Sequence, residues 1–168
     1  MPLPNIDQSN IISITATLRL RQYDGHYELF LPGYQNPTVY QNSEGIFDET
    51  RIPNLDYVKG MCNYLQKIGE LYYIEILESG LFVPIGDVTI KPDNPPIAIW
   101  FDQYHGKGIG KLVMQTLIHR LRALGYSKIT GSMVYRWNIA SQKLHEGLGF
   151  VRTDENEREI TYELDLNQ

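Results

Sequence analysis

A glycine-rich segment, HGKGIG at residues 105–110, stands between an apolar strand pattern and an amphipathic helical pattern. The strand pattern is PPIAIWFD at residues 95–102, and the helical pattern begins near Ile109 and stops before Gly125. Glycines let the backbone approach a ligand closely, and a helix N-terminus presents unpaired N–H groups with about half a positive charge. The segment therefore predicts an anion site, most often for a phosphate group.

Two common phosphate-binding motifs do not fit this segment. The P-loop motif requires glycine where His105 stands and serine or threonine where Leu112 stands. Gly106, Gly108 and Gly110 form G-x-G-x-G, whereas the dinucleotide motif is G-x-G-x-x-G. A dinucleotide-binding unit would also lie near the start of a parallel sheet. A plain glycine-rich turn remains the alternative to an anion site on these residues alone.

The rest of the chain predicts the α+β class, a mixed, mainly antiparallel sheet flanked by helices. Apolar patterns predict strands at residues 11–21, 71–77, 82–90, 95–102 and 127–135, and a closing hairpin over residues 150–166. The strands from residue 71 to 102 should form an antiparallel meander. The predicted order is β–α–α–β–β–β–α–β–α–β–β, in a single domain spanning residues 1–168.

Polar residues at the start of helical patterns indicate where the helices begin. Asn54 and Asn138 each precede an apolar helical pattern and are predicted N-caps. Asp24 is the predicted cap of a short helix that Pro32 ends. Residues 31–45 read as a long, irregular, tyrosine-rich loop, and such loops are often functional.

Composition narrows the class of protein. The net charge of −5 and a pI near 5.3 disfavour non-specific nucleic-acid binding and suit a cationic partner such as an amine, although many soluble proteins are mildly acidic. The one cysteine, Cys62, lies in an apolar helical pattern, which favours a buried thiol over a nucleophile. The sequence has neither a leader pattern nor a run of about eighteen apolar residues. We therefore expect a soluble, cytoplasmic protein without a membrane partner.

Two segments together resemble the GNAT superfamily of N-acetyltransferases. HGKGIG occupies the place of that family's coenzyme A loop, Q/R-x-x-G-x-G/A, with His105 at the first position. NIASQKLHEGLGF, residues 138–150, is similar to the family's N-x-x-[AS]-x-x-[LF]-Y-x-x-x-G-F, with His145 at the tyrosine position. The positions in register are Asn138, Ser141, Leu144, Gly149 and Phe150. The opening LRLRQYDGHYELF, with N-x-A-S in the late helix, is closest to the branch resembling ribosomal-protein N-terminal acetyltransferases.

The resemblance implies a GNAT-like fold with two splayed central strands, here residues 97–101 and 128–135. It implies acetyl-CoA as cosubstrate and no metal, with pantetheine in the split and the pyrophosphate on backbone N–H groups of the glycine segment. The implied cofactor-binding residues are Trp100, Phe101, Asp102, His105, Gly106, Lys107, Gly108, Ile109, Gly110, Lys111 and Asn138.

The resemblance further implies direct attack of a primary amine on the acetyl thioester. The family's tyrosine donates a proton to the departing thiolate, and the imidazolium of His145 could do the same. Ser141 lies one helical turn earlier on the same face, as a second catalytic candidate. The alternative for His145 is a packing role. No general base is evident, because residues 97–102 contain no glutamate and alternation turns Glu75 towards solvent.

Aromatic residues are the candidates for the acceptor site. Tyr34 in the tyrosine-rich loop and Tyr135 after the splayed strand could enclose the substrate or a cation, although tyrosines are also common packing residues. The acceptor amine would belong to a small molecule or a protein N-terminus. A homodimer is an option in the family, without a sequence feature that favours it. The alternative function is a non-catalytic acyl-CoA-binding or regulatory module of the same fold.

Overall fold

A computed structural model describes Leu3 and residues 6–167, which form two antiparallel sheets with helices between and around them. The first sheet has the order β1-β2-β3-β4-β5 and the second the order β6-β8-β7. This arrangement confirms the predicted α+β class. The strands are β1 Ile11–Ser13, β2 Leu18–Gln22, β3 Glu70–Glu78, β4 Leu81–Ile90, β5 Ile97–Ile99, β6 Lys128–Tyr135, β7 Val151–Glu155 and β8 Glu159–Asp165.

Five α-helices and three 3-10 turns complete the described chain. The helices are α1 Leu31–Tyr34, α2 Pro37–Glu44, α3 Leu55–Ile68, α4 Ile109–Ala123 and α5 Ile139–Gly147, and the turns are Tyr27–Phe30, Glu49–Arg51 and Asp102–Tyr104. Two predicted N-caps are confirmed. The Asn54 side chain accepts from the Tyr57 N–H at 2.9 Å, and the Asn138 side chain accepts from the Ser141 N–H at 3.2 Å.

The prediction of an irregular loop over residues 31–45 is wrong, because this segment forms α1 and α2. The side chain of Asn36 caps α2 by accepting from the Thr38 N–H, with Pro37 in the first turn. Gly45 ends the helix in the left-handed conformation, with φ of 66°. The two helices are too short to show a clear apolar period, so the capping residues were the sequence feature that could have predicted α2.

Two predictions near the N-terminal end also need correction. Residues 11–21 are not one strand but the hairpin β1–β2, which turns at residues 14–17 and keeps the alternation of apolar residues through the turn. Asp24 is not a helix cap, since the turn Tyr27–Phe30 has no side-chain cap bond. Its carboxylate instead accepts hydrogen bonds from Arg21 at 2.8 Å and from Tyr73 at 2.7 Å.

The five-stranded sheet is covered on both faces, so alternate residues of β3 belong to different cores. Tyr72 and Ile74 pack with α4 and the second sheet, whereas Leu71 and Tyr73 pack beneath α1 and α3. We call the second cluster the α1–α3 core; its members are Tyr23, Phe30, Tyr34, Val39, Val58, Cys62, Leu65, Leu71, Tyr73, Ala98 and Trp100. The buried thiol predicted for Cys62 is confirmed.

Glu75 does not face solvent, contrary to the alternation argument. Its side chain is buried, and its two oxygens accept from Nε of Arg19 and Nε of Arg21, each at 2.9 Å. Both arginines lie on β2, the neighbouring strand, so a cross-strand ion pair satisfies the buried carboxylate. Glu75 is therefore fully engaged within the sheet.

The two sheets meet at one point and then separate, which confirms the predicted splayed strands. The described contact between them is an isolated parallel bridge between Asp93 and Thr130, supported by the Asn94 N–H donating to the Thr130 carbonyl at 2.8 Å. Beyond it, β5 pairs with β4 and β6 pairs with β8, so the facing edges of β5 and β6 are left apart. Within the described chain, no helix combines the length and apolar character needed to span a membrane.

A glycine allows the closest packing in the α1–α3 core. A Cβ at Gly33 would lie 2.6 Å from Cδ1 of Trp100 and closer still to its Cβ and Cγ. Both Trp100 and the neighbouring Phe30 are fully buried, so the indole has no room to retreat.

We expect Gly33→Ala to destabilise the protein by about 1–3 kcal/mol, because overpacking forces the indole or α1 to shift. Urea unfolding measures the change. Gly60→Ala is the matched control, since Gly60 is an exposed residue in α3 with open space around it. That substitution should stabilise by up to about 1 kcal/mol through helix propensity. A Gly33→Ala protein as stable as the wild type would contradict the packing account.

Candidate active site

The glycine segment connects the end of the first sheet to the N-terminus of α4. Gly106 and Gly108 adopt left-handed conformations, with φ of 70° and 79°, and a Cβ at either position would meet open space. The first intrahelical bond runs from the Leu112 N–H to the Gly108 carbonyl, so the preceding amides have no acceptor within α4. The segment thus presents a row of N–H groups and the positive end of the helix dipole to a cavity.

This cavity, which we call the glycine cavity, has a volume of about 390 Å³. It is bounded by the glycine segment, the edge of β5, α2 and the start of α5. Of the predicted cofactor residues, those that line it are His105, Gly106, Gly108, Ile109, Gly110, Lys111 and Asn138. Lys111 adds a cationic side chain beside the exposed amides.

Four predicted cofactor residues do not line the glycine cavity. Trp100 is buried, its N–H donates to the Ile85 carbonyl at 2.8 Å, and its carbonyl accepts from Asn36 at 3.0 Å. Phe101 packs edge-on against Trp100. Asp102 is exposed and accepts from Asn36, and Lys107 is exposed. Because the N–H and the carbonyl of Trp100 are already paired, backbone groups that are free to bind a ligand must lie at other positions of the strand.

Alternation along β5 decides which backbone groups face the split. Trp100 and Pro96 bond to β4, so the groups of Ile97 and Ile99 point away from β4 towards β6. The Ile99 carbonyl accepts from Nε2 of His105 at 2.8 Å, which fixes the imidazole against the strand edge. Ile97 lines both cavities, a role that sequence reasoning missed although the pairing register would predict it.

A second cavity, the acceptor cavity, lies on the other side of the split with a volume of about 370 Å³. It is lined by the end of α2, the buried side of α3, β6 and α5, and includes both predicted substrate residues, Tyr34 and Tyr135. The two cavities share Asn42, Ser43, Ile97, Asn138 and Ser141. A ligand held at the glycine segment can therefore meet a second ligand at the start of α5.

The predicted catalytic pair lies at this junction on α5. Ser141 lines both cavities, whereas His145 lines the acceptor cavity and is only 5% exposed. Nδ1 of His145 donates to the Ser141 carbonyl at 2.8 Å, and the ring stacks on Tyr162 at a centroid distance of 5.3 Å. Burial lowers the pKa of His145 below its usual value. The imidazolium is therefore disfavoured at neutral pH, and the neutral ring carries its proton on Nδ1.

A buried carboxyl lies behind the acceptor cavity. Oδ1 of Asp87 accepts from the Tyr34 hydroxyl at 2.8 Å and from Nε1 of Trp100 at 2.7 Å. Oδ2 has no hydrogen-bond partner among the residues that the structure describes. Burial raises the pKa of Asp87 to about 7, and the two donors oppose that rise. Sequence reasoning missed this group, because Asp87 lies within a mostly apolar strand without a motif around it.

Polar and aromatic groups give the acceptor cavity its character. Glu44, at the C-terminal end of α2, accepts from the Tyr57 hydroxyl at 2.9 Å, and burial raises the pKa of its carboxyl. Tyr135 stacks on Trp137 with ring centroids 4.6 Å apart. Lys91 is a cationic residue of the same lining. Across Leu3 and residues 6–167, no group of three or more histidine, cysteine or acidic residues is arranged to hold a metal ion.

Comparison with known proteins places this geometry in a family. The sequence profile of the Acetyltransferase (GNAT) family matches residues 61–150, more than half of the chain. No curated protein matches the sequence significantly.

Several solved structures share the fold. A GNAT-family acetyltransferase from Bacillus anthracis has a TM-score of 0.73 at 14% identity, over 94% of this chain and 99% of that one. RimL, a ribosomal L7/L12 alpha-N-protein acetyltransferase solved with coenzyme A, has a TM-score of 0.66 at 18% identity, over 92% and 97%. YncA from Salmonella typhimurium, solved with acetyl-CoA, has a TM-score of 0.65 at 17% identity, over 89% and 94%. At these identities the structures establish the shared fold.

Asp87 should make the stability of the protein depend on pH. Its pKa is about 7 in the folded state against 3.8 for a solvated aspartate, so the folded state holds this proton more tightly. That contribution is complete below the unfolded-state pKa and is lost as the pH rises through the folded-state value. We expect the stability of the wild type relative to Asp87→Asn to fall between pH 5 and pH 7 by up to about 1.4 kcal/mol per pH unit.

Urea unfolding of both proteins at several pH values measures this difference. All other titratable groups are present in both proteins, so their contributions cancel. A difference in unfolding free energy that stays constant from pH 5 to pH 8 would show that Asp87 is ionised throughout, contrary to its burial.

Proposed function

Because the chain belongs to the Acetyltransferase (GNAT) family, we propose that it transfers the acetyl group of acetyl-CoA to a primary amine. One observation carries the proposal. Two cavities, one backed by the exposed amides of the glycine segment and one lined by Glu44 and by aromatic side chains, meet between splayed strands at Asn138 and Ser141. Such a junction holds two reactants at near-attack distance.

The glycine cavity suits coenzyme A. The amides at the start of α4 and the Lys111 ammonium would hold the pyrophosphate, since both are donors and carry positive charge. The edge of β5 at Ile97 offers backbone groups to an extended amide chain in the manner of an added strand. When bound, acetyl-CoA supplies an activated acyl group as its thioester. An acyl group held at Asn138 would be open to the acceptor cavity, because Asn138 lines both cavities.

Ser141 is the residue best suited to serve the departing sulfur. Its side chain lies at the junction of the cavities, and its hydroxyl can pass on the proton that the amine nitrogen releases. Burial lowers the pKa of His145, which disfavours the imidazolium and makes the ring a poor proton donor to the sulfur. The Nδ1–H bond to the Ser141 carbonyl also holds this turn of α5 in place.

The acceptor cavity suits an amine. Glu44 brings a carboxylate to the C-terminal end of α2, where the helix dipole also favours a cation. Tyr135 and its stacked partner Trp137 present ring faces and edges nearby. A small-molecule amine and a protein N-terminus are both compatible with this lining.

Coenzyme A binding can be tested at Gly110, in the first turn of α4. Its Cβ would point into the glycine cavity at 3.6 Å from Leu144, so the helix tolerates a side chain but the cavity does not. We expect coenzyme A at 100 times its Kd to stabilise the wild type by about 2.7 kcal/mol in a thermal-shift assay. Gly110→Trp should abolish this stabilisation, whereas the control Gly60→Trp should keep it.

ATP and NAD, each tested alone in the same assay for comparison, should give no thermal shift. Retained coenzyme A binding in a folded Gly110→Trp protein would refute the proposed cofactor site. Binding without turnover of any amine would favour the alternative, a non-catalytic acyl-CoA-binding module.

Two substitutions on α5 separate catalysis from packing. Ser141→Ala removes the hydroxyl at the junction and should lower kcat by about 10²-fold with little change in coenzyme A affinity. His145→Phe keeps a ring that stacks on Tyr162 and packs edge-on against Phe150, so it should fold and lose much less activity. Steady-state kinetics and a coenzyme A titration measure both effects. A larger loss in His145→Phe than in Ser141→Ala would reverse the two assignments.

A further inference from the structure

Asp87 is a buried carboxyl without a structural need that explains it fully. It lies on β4 beneath α1, with no exposed surface, and both of its hydrogen bonds converge on Oδ1. The free Oδ2 is costly to bury, because an unpartnered polar atom loses its hydration without compensation. A carboxyl that gains and loses a proton during turnover would explain why a buried Asp87 is kept with Oδ2 unpaired.

Tyr34 connects this carboxyl to the acceptor cavity. Tyr34 is buried and lines the cavity, and its hydroxyl donates to Oδ1 of Asp87 at 2.8 Å. A hydroxyl that donates its one proton still has lone pairs with which to accept another. The hydroxyl therefore offers a one-bond route between a ligand in the cavity and the buried carboxyl.

Other acids are less suitable as proton acceptors. Glu75 is held by two arginines in the sheet, and Asp102 is exposed and bonded to Asn36 outside both cavities. Glu44 lines the cavity, but its carboxyl is engaged by Tyr57 and is better placed to attract a cation. Among the described residues, the pair of Tyr34 and Asp87 thus combines contact with the cavity and a protected carboxyl.

We propose that Tyr34 and Asp87 form the route by which the acceptor ammonium loses its proton before it attacks the thioester. This rests on the proposed acetyl transfer. The N–H bond of the ammonium breaks and its proton passes to the Tyr34 oxygen, while the Tyr34 O–H bond breaks and its proton passes to Oδ1 of Asp87. The amine is then neutral, Tyr34 is unchanged and Asp87 is a carboxylic acid. The proton returns to water through Tyr34 once the cavity has emptied.

The groups around Asp87 suit this role. Burial raises its pKa to about 7, the bonds from Trp100 just after β5 and from Tyr34 on α1 lower it, and the charge of Glu44 on α2 raises it. The nearby thiol of Cys62 on α3 stays neutral, since burial raises its pKa to about 12. A base whose pKa lies close to neutral pH is present in both forms there, which favours general-base catalysis.

The test compares two amines of nearly the same size. The first is the primary alkylamine that the wild type acetylates fastest, and the second is its β,β-difluoro analogue, whose weaker basicity leaves a large fraction of it neutral at pH 7, and that fraction requires no base. The variants are Tyr34→Phe and Asp87→Asn. Tyr40→Phe is the control, since Tyr40 is a buried tyrosine of α2 that lines neither cavity.

At pH 7 we expect kcat/KM for the alkylamine to fall about 10²-fold in Tyr34→Phe and in Asp87→Asn. The difluoro amine needs no base, so both variants should acetylate it within a few-fold of the wild type. The wild-type pH profile for the alkylamine should rise with an apparent pKa near 7. In both variants that rise should move to higher pH and follow the deprotonation of the amine itself.

Equal losses with both amines, or an unchanged pH profile, would overturn the proton route and leave Asp87 as a packing residue. If Asp87→Asn does not fold, Tyr34→Phe decides the question alone, because it removes one oxygen atom. A wild type that binds coenzyme A but acetylates neither amine, nor any in a wider screen, would instead refute the proposed acetyl transfer on which the route depends.

Discussion

The separation of β5 from β6 is the constraint on which the rest of the molecule depends. The strands are joined where Thr130 bonds to Pro92 and Asn94, with backbone N–H to O distances of 2.9 and 2.8 Å. Past that joint, neither strand completes its ladder with the other, so one edge of each sheet is unpaired inside the protein. Unpaired edges normally invite another strand. Here the glycine segment, α2 and α5 surround the opening, so that the edge borders two cavities.

The opening contains polar groups that have no strand partner. The hydroxyl of Ser132 on β6 is buried in the lining of the acceptor cavity without a partner among the described residues. The Ile99 carbonyl is met by a histidine side chain in place of a strand. A buried polar group without a strand partner destabilises the folded state unless another group binds to it. These groups therefore indicate the split as the place where a ligand would supply the missing hydrogen bonds.

Short sequence motifs predicted those structural features that depend on residues close together in the chain. The asparagine caps of α3 and α5, the glycine segment before α4 and the splayed strands all follow from short motifs or from the family resemblance. Glu75 shows where this stops, because its burial depends on two arginines that only strand pairing brings beside it. Asp87 is a further case. Period-two alternation identifies a strand, but when both faces are covered it does not identify which polar residue is buried, or beside what.

The two departures from the family's motifs share one physical feature. His105 replaces a longer polar residue and donates from Nε2 to the Ile99 carbonyl, while His145 replaces a tyrosine and donates from Nδ1 to the Ser141 carbonyl. In each case a backbone acceptor holds the ring proton, so neither histidine has that proton free for a ligand. The hydroxyls of Ser141 and Tyr34 are then the neighbouring groups that can move a proton at the junction and in the acceptor cavity. Proton movement in this protein would accordingly rest on α1 and the first turn of α5, with the two histidines holding the strand edge and the helix in position.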